Sequence, residues 1–116
     1  MDSSWNAALK ERSRERRDPD RQAVNIVVQM ATPQGLFFGH ARNIGLGGIC
    51  VESDVPLAVG TRARLAFRLC PDLEEPLRLE ARLAWSEPSN TPALQRLGFT
   101  FEGLSEEEAR QIESYA

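Results

Sequence analysis

From Ala23 the chain alternates between apolar and polar positions. Val24, Ile26, Val28 and Met30 are separated by Asn25, Val27 and Gln29, the period of two that gives a strand one buried face. Thr32-Pro33-Gln34-Gly35 supplies a turn, with proline presetting φ and glycine adding freedom. Leu36 to Arg42 resumes as a second strand, so residues 23–42 are expected as a hairpin. Within it Phe37-Phe38 breaks the strict alternation of aromatic residues with polar ones. Ile49 to Ser53 reads as a third strand, following a glycine loop at 45–48 and ended by Pro56 and Gly60.

The clearest strand runs from Thr61 to Leu69. Ala63, Leu65, Phe67 and Leu69 point one way, and Arg62, Arg64 and Arg68 the other. Leu77, Leu79, Ala81, Leu83 and Trp85 share the apolar phase of a fifth strand, which makes Trp85 an expected core residue. Residues 86–95, rich in Pro, Ser, Asn and Thr, read as a loop, and Leu97, Phe99 and Phe101 as a sixth strand. The period then becomes 3.6. Ser105-Glu-Glu-Glu108 is a capping box whose acids also complement the helix dipole. A helix is expected over 105–115, with Ala109, Ile112 and Tyr115 facing one end of the sheet.

The fold class predicted is all-β: a six-stranded antiparallel β-barrel with a C-terminal α-helix and a flexible N-terminal arm. Closure removes the exposed edges that amphipathic strands would otherwise present. Residues 1–16 alternate Arg and Glu without a clean period, although Trp5, Ala8 and Leu9 form a short helical face. They are expected to be a charged arm, ahead of a barrel domain spanning 17–116. Asp18-Pro19-Asp20 ends any helix there.

Composition narrows the function. A chain of 116 residues is one domain by length, and 41% hydrophobic with 27% charged residues is ordinary globular usage. No window reaches a membrane span and no secretory signal opens the chain, so a cytoplasmic protein without membrane insertion is expected. Residues 1–22 hold six basic against five acidic groups, whereas 23–116 hold eight arginines against twelve acids. A weakly acidic body argues against nucleic acid, which needs a broad basic face. Cys50 and Cys70 lack metal spacing and read as small core hydrophobes. A lone His40 forms no metal site, and no nucleophile–base set or poised carboxylate pair is present. Neither a catalytic residue nor a cofactor is expected, and the chain is read as no enzyme.

Two segments carry chemistry. Arg17 and Arg21 lie four residues apart ahead of the first strand, and guanidinium forks suit phosphates and the acceptor edge of guanine. Asn43-Ile-Gly-Leu-Gly-Gly48 places a side-chain amide beside a glycine turn through which backbone approaches a ligand closely.

In this order and β context, the chain resembles the PilZ domain family, bacterial receptors for cyclic di-GMP. Arg17-Asp-Pro-Asp-Arg21 matches the RxxxR motif, and Asn43-Ile-Gly45-Leu-Gly-Gly48 most of the [D/N]xSxxG motif. Gly60, the run Arg96-Leu-Gly98-Phe-Thr-Phe101 and the terminal helix complete a likeness over residues 12–116. The resemblance implies that Arg17 and Arg21 grip phosphates and guanine edges while Asn43 binds a guanine from the opposite side. Gly48 leaves room for the ring, and Arg16 stacks on a second ligand molecule. Gly45 replaces the motif serine and removes a hydroxyl donor, an erosion on the order of 1 kcal/mol. Each bidentate arginine contact contributes about 1–3 kcal/mol of discrimination, so Gly45 erodes affinity but need not abolish it, and losing Arg17 or Arg21 does more. The expected function is a cyclic di-GMP effector that changes its contacts with an unidentified downstream protein when the arm locks. A monomer or weak homodimer is expected. The alternative is a PilZ-like adaptor that binds no nucleotide and acts through constitutive protein contacts.

Overall fold

A computed structural model describes residues 22–70 and 75–115. The strands are β1 (Gln22–Thr32), β2 (Gly35–Ile44), β3 (Gly48–Ser53), β4 (Arg62–Phe67), β5 (Leu77–Pro88) and β6 (Gln95–Glu102), followed by helix α1 (Glu106–Tyr115). They close into an antiparallel barrel in the order β1-β2-β3-β6-β5-β4. The seam is short: β1 meets β4 only from Gln29, opposite Ala66, to Ala31, opposite Arg64. This is the expected fold class. The charged arm at 1–16 and the three arm arginines Arg16, Arg17 and Arg21 lie outside the described residues.

Alternation dictates the interior. Val28 and Met30 from β1, Ile49 and Val51 from β3, Leu65, Leu83, and Leu97 with Phe99 fill the barrel, essentially without exposure. Each such side chain contributes about 1.5–3 kcal/mol by leaving water. Arg62 and Arg64 point outward, as the period of two requires. The helix is capped as its sequence dictates. The Ser105 amide donates to Glu108 Oε1 and the Glu108 amide to Ser105 Oγ, both at 3.0 Å. Ile112 then joins the core from α1.

Two expectations about depth are corrected. Cys50 is buried but does not belong to the barrel core, and Cys70 is only half-buried; both are free thiols. Trp85 is buried as expected, yet it too lies outside the core cluster. The cause is a register shift between Leu83 and Trp85, which pairs Trp85 with Gly98. Gly98 lies between Leu97 and Phe99, whose side chains point into the barrel, so the indole covers the outer wall. Strand β5 also runs on to Pro88, because Ser86, Glu87 and Pro88 pair with Leu97, Arg96 and Gln95. The loop expected from residue 86 therefore begins at Ser89, whose amide donates to the Leu94 carbonyl at 2.9 Å.

Candidate functional site

Asn43 lies within β2, one residue past the expected strand end at Arg42. A register shift between Ala41 and Asn43 makes Arg42 an extra residue in the β2–β3 ladder. Ala41 and Ile44 both point inward, so Arg42 and Asn43 are consecutive on the outer wall. Re-aiming side chains in this way is what a β-bulge does.

The β2 bulge and the one in β5 produce a single row. Asn43 pairs with Cys50, Cys50 with Gly98, and Gly98 with Trp85. The row crosses β2, β3, β6 and β5 on the outside of the barrel, spanning roughly 14 Å at the usual strand spacing. It carries the half-buried Asn43 amide at one end and the buried Trp85 indole at the other, with the small, buried residues Cys50 and Gly98 between them.

The glycine loop meets the row from above. The Gly45 amide donates to the Gly48 carbonyl at 2.9 Å, and the Phe101 amide to the Gly47 carbonyl at 3.1 Å. Positive φ is confined, among the described glycines, to Gly35, Gly60 and Gly103, so the loop does not depend on left-handed backbone. Gly48 has a different requirement. A Cβ there would overlap the carbonyl oxygen of Phe99 on β6, whereas one on Gly47 would meet open space. The close approach of β3 to β6 thus demands glycine at 48 before any ligand is considered.

Beside the row lies a carboxylate clasp that the sequence did not disclose. Glu52 of β3, only 9% exposed, accepts from Arg42 Nε at 2.9 Å and from the Ser89 hydroxyl. The Ser89 hydrogen bond is the largest influence holding its carboxyl below the ordinary carboxylate range. Arg42 and the charge of Arg96 act the same way against burial. Arg96 itself reaches Glu87 at 2.7 Å. Both guanidiniums flanking the row are therefore neutralised by carboxylates. An anion lying there needs positive charge from elsewhere in the chain.

Of the expected site residues, the structure brings Asn43, Gly45 and Gly48 together at one end of this row. It also adds Cys50, Gly98 and Trp85, which period-two reading placed in the core or left unassigned. Among the described residues no group of His, Cys, Asp and Glu is placed to hold a metal ion. No helix among them is long and apolar enough to cross a membrane.

The family model for the PilZ domain matches residues 11–116, nearly the whole chain. The chain belongs to the PilZ domain family. No curated protein matches it. Solved structures share the fold. The PilZ domain of YcgR from Escherichia coli, in a structure with c-di-GMP, is similar at 16% identity and TM-score 0.68, covering 80% of this chain and 82% of that one. The Bacillus subtilis inhibitor of motility MotI/DgrA is 20% identical with TM-score 0.69, covering 82% of this chain and 46% of its own. The PilZ domain of CeSA from a cellulose-synthesizing bacterium is 21% identical with TM-score 0.57, over 80% of this chain and 90% of that one. This PilZ domain thus spans about half the length of MotI. At these identities the likeness is one of fold, and it agrees with the closed barrel and single C-terminal helix described above.

Proposed function

We propose that this PilZ domain is a receptor, not a catalyst, and that it binds cyclic di-GMP across the outer row from Asn43 to Trp85. The observation that supports this most directly is the row with its neutralised border. Asn43 offers a hydrogen-bonding amide to a guanine edge, and the Gly45–Gly48 loop brings backbone close beside it. Arg42 and Arg96 are already engaged by Glu52 and Glu87. The charge that holds the phosphates then comes from Arg17 and Arg21, with Arg16 stacking on a second ligand molecule.

Ligand binds only when the arm lies over the barrel, so it draws the population toward that closed state. The changed surface alters contacts with a downstream protein. Limited proteolysis tests this. Cyclic di-GMP should protect residues 12–22 from cleavage, and an unchanged cleavage pattern would overturn arm closure.

Gly45 favours a second reading. The residue is buried, its amide is engaged by the Gly48 carbonyl, and it offers no hydroxyl. On that reading the domain is a nucleotide-independent adaptor. A partner captured equally by the wild type and by Arg17→Ala/Arg21→Ala, with no response to nucleotide, would support it; loss of that partner in the variant would sink it.

A further inference from the structure

On the wall away from the nucleotide row, Val27, Leu36 and Phe38 are 59%, 54% and 57% exposed. They are neighbours. The β1–β2 register sets Val27 opposite His40, Gln29 opposite Phe38 and Ala31 opposite Leu36, all outward positions. A second outer row runs Phe38–Gln29–Ala66–Arg78 across β2, β1, β4 and β5. Just past it β1 and β4 part, because their pairing ends at Gln29 and Ala66. A cleft of about 380 Å³ opens there, lined by Ile26, Val27, Phe38, Ala66, Arg68 and Arg78.

A contiguous exposed apolar patch of this kind marks an interaction surface in a monomeric domain. Its charge identifies the partner. Among the described lining residues the only charged side chains are the guanidiniums of Arg68 and Arg78, although the chain as a whole carries a net charge of −3. Arg78 has Glu75 at the limit of ion pairing, 4.0 Å away. The outward positions of β1 and of β2 up to His40 carry no acid. We propose that this cleft docks an acidic protein segment presenting large apolar side chains, at a site separate from the nucleotide row.

Other occupants fit less well. A second copy packed patch-to-patch would set arginine against arginine. Nucleic acid needs successive aromatic platforms and many phosphate contacts. Here Phe37 packs against the core, leaving Phe38 as the single aromatic platform among the described residues of this wall. The apolar and basic side chains that line the cleft are the groups a partner meets, as an amphipathic helix meets a groove.

The test is titration of the ¹⁵N-labelled full chain with a synthetic amphipathic helical peptide, Leu and Phe on one face and Glu on the other. Amide shifts should move at Val27, Phe38, Ala66 and Arg78. The same peptide with Lys for Glu, or with Ser for Leu and Phe, should leave them in place. Phe38→Ser and Arg78→Glu should each weaken binding about tenfold while the spectrum stays dispersed. No shifts with the acidic peptide at millimolar concentration, or equal shifts with the Lys peptide, would overturn the proposal. So would shifts at these residues produced only by phosphatidylglycerol vesicles, by oligothymidylate or by raising the protein's own concentration.

Discussion

Trp85 sits against Gly98 across the β5–β6 ladder, its indole occupying the space that a side chain on Gly98 would need. The pairing exists because of the bulge after Leu83, and it lays the buried indole along the outer side of β6. Gly98→Ala forces a methyl group into the ring. Overpacking of this kind costs about 1–3 kcal/mol, read as a lower denaturant midpoint. A neutral result would mean that the indole does not occupy this position.

Neighbouring glycines in the loop should behave differently. Gly48→Ala drives Cβ into the Phe99 carbonyl, which only a displacement of β3 from β6 relieves. It should lower the thermal midpoint strongly, by about 2 kcal/mol or more of stability. Gly47→Ala meets open space and should change stability by about 0.5 kcal/mol or less. Calorimetric unfolding of the two variants side by side distinguishes them.

The Glu52 clasp predicts a pH dependence. Its carboxyl is held below the ordinary value of 4.5, chiefly by the Ser89 hydroxyl and then by Arg42. The unfolded chain therefore binds more protons in the window just below 4.5, and stability rises with pH across it. The contribution is fully present above that value and disappears as pH falls through the lower, folded one. Glu52→Gln should cost about 1–2 kcal/mol at neutral pH. Urea melts should show the gap between wild type and variant closing on acidification; a gap independent of pH would contradict the assignment.

Helix α1 depends on its reciprocal cap. Ser105→Ala removes the hydroxyl that accepts from the Glu108 amide and should cost about 1 kcal/mol. Because Ile112 is the helix's buried anchor, Ile112→Ala should cost more, about 2–4 kcal/mol. Equilibrium unfolding of the two variants should preserve that order.

Where one period held, the sequence was legible. The strand expected over Thr61 to Leu69 forms as the shorter β4, Arg62–Phe67, with Ala63, Leu65 and Phe67 inward, and Ser105 and Glu108 form the cap their spacing encodes. The outer row was not legible, because an extra residue at Arg42 or at Ala84 leaves no mark in composition or period. A two-residue rhythm read through such a bulge puts Trp85 on the wrong side of its strand. The same blindness hid Glu52. It read as one polar position in a short strand, whereas its partners come from β2 and from the loop after β5. Asn43 and the glycines were found because their residue types are distinctive, not because their geometry was foreseen.

The proposed binding of cyclic di-GMP depends on Arg17 and Arg21 of the arm. Isothermal titration of the purified chain with cyclic di-GMP, beside Arg17→Ala/Arg21→Ala, tests it most directly. The wild type should bind at micromolar or tighter affinity, on the order of −8 kcal/mol, and the double variant should lose that binding. Absence of heat from a folded wild-type sample at high concentration, or equal binding by the double variant, would contradict it.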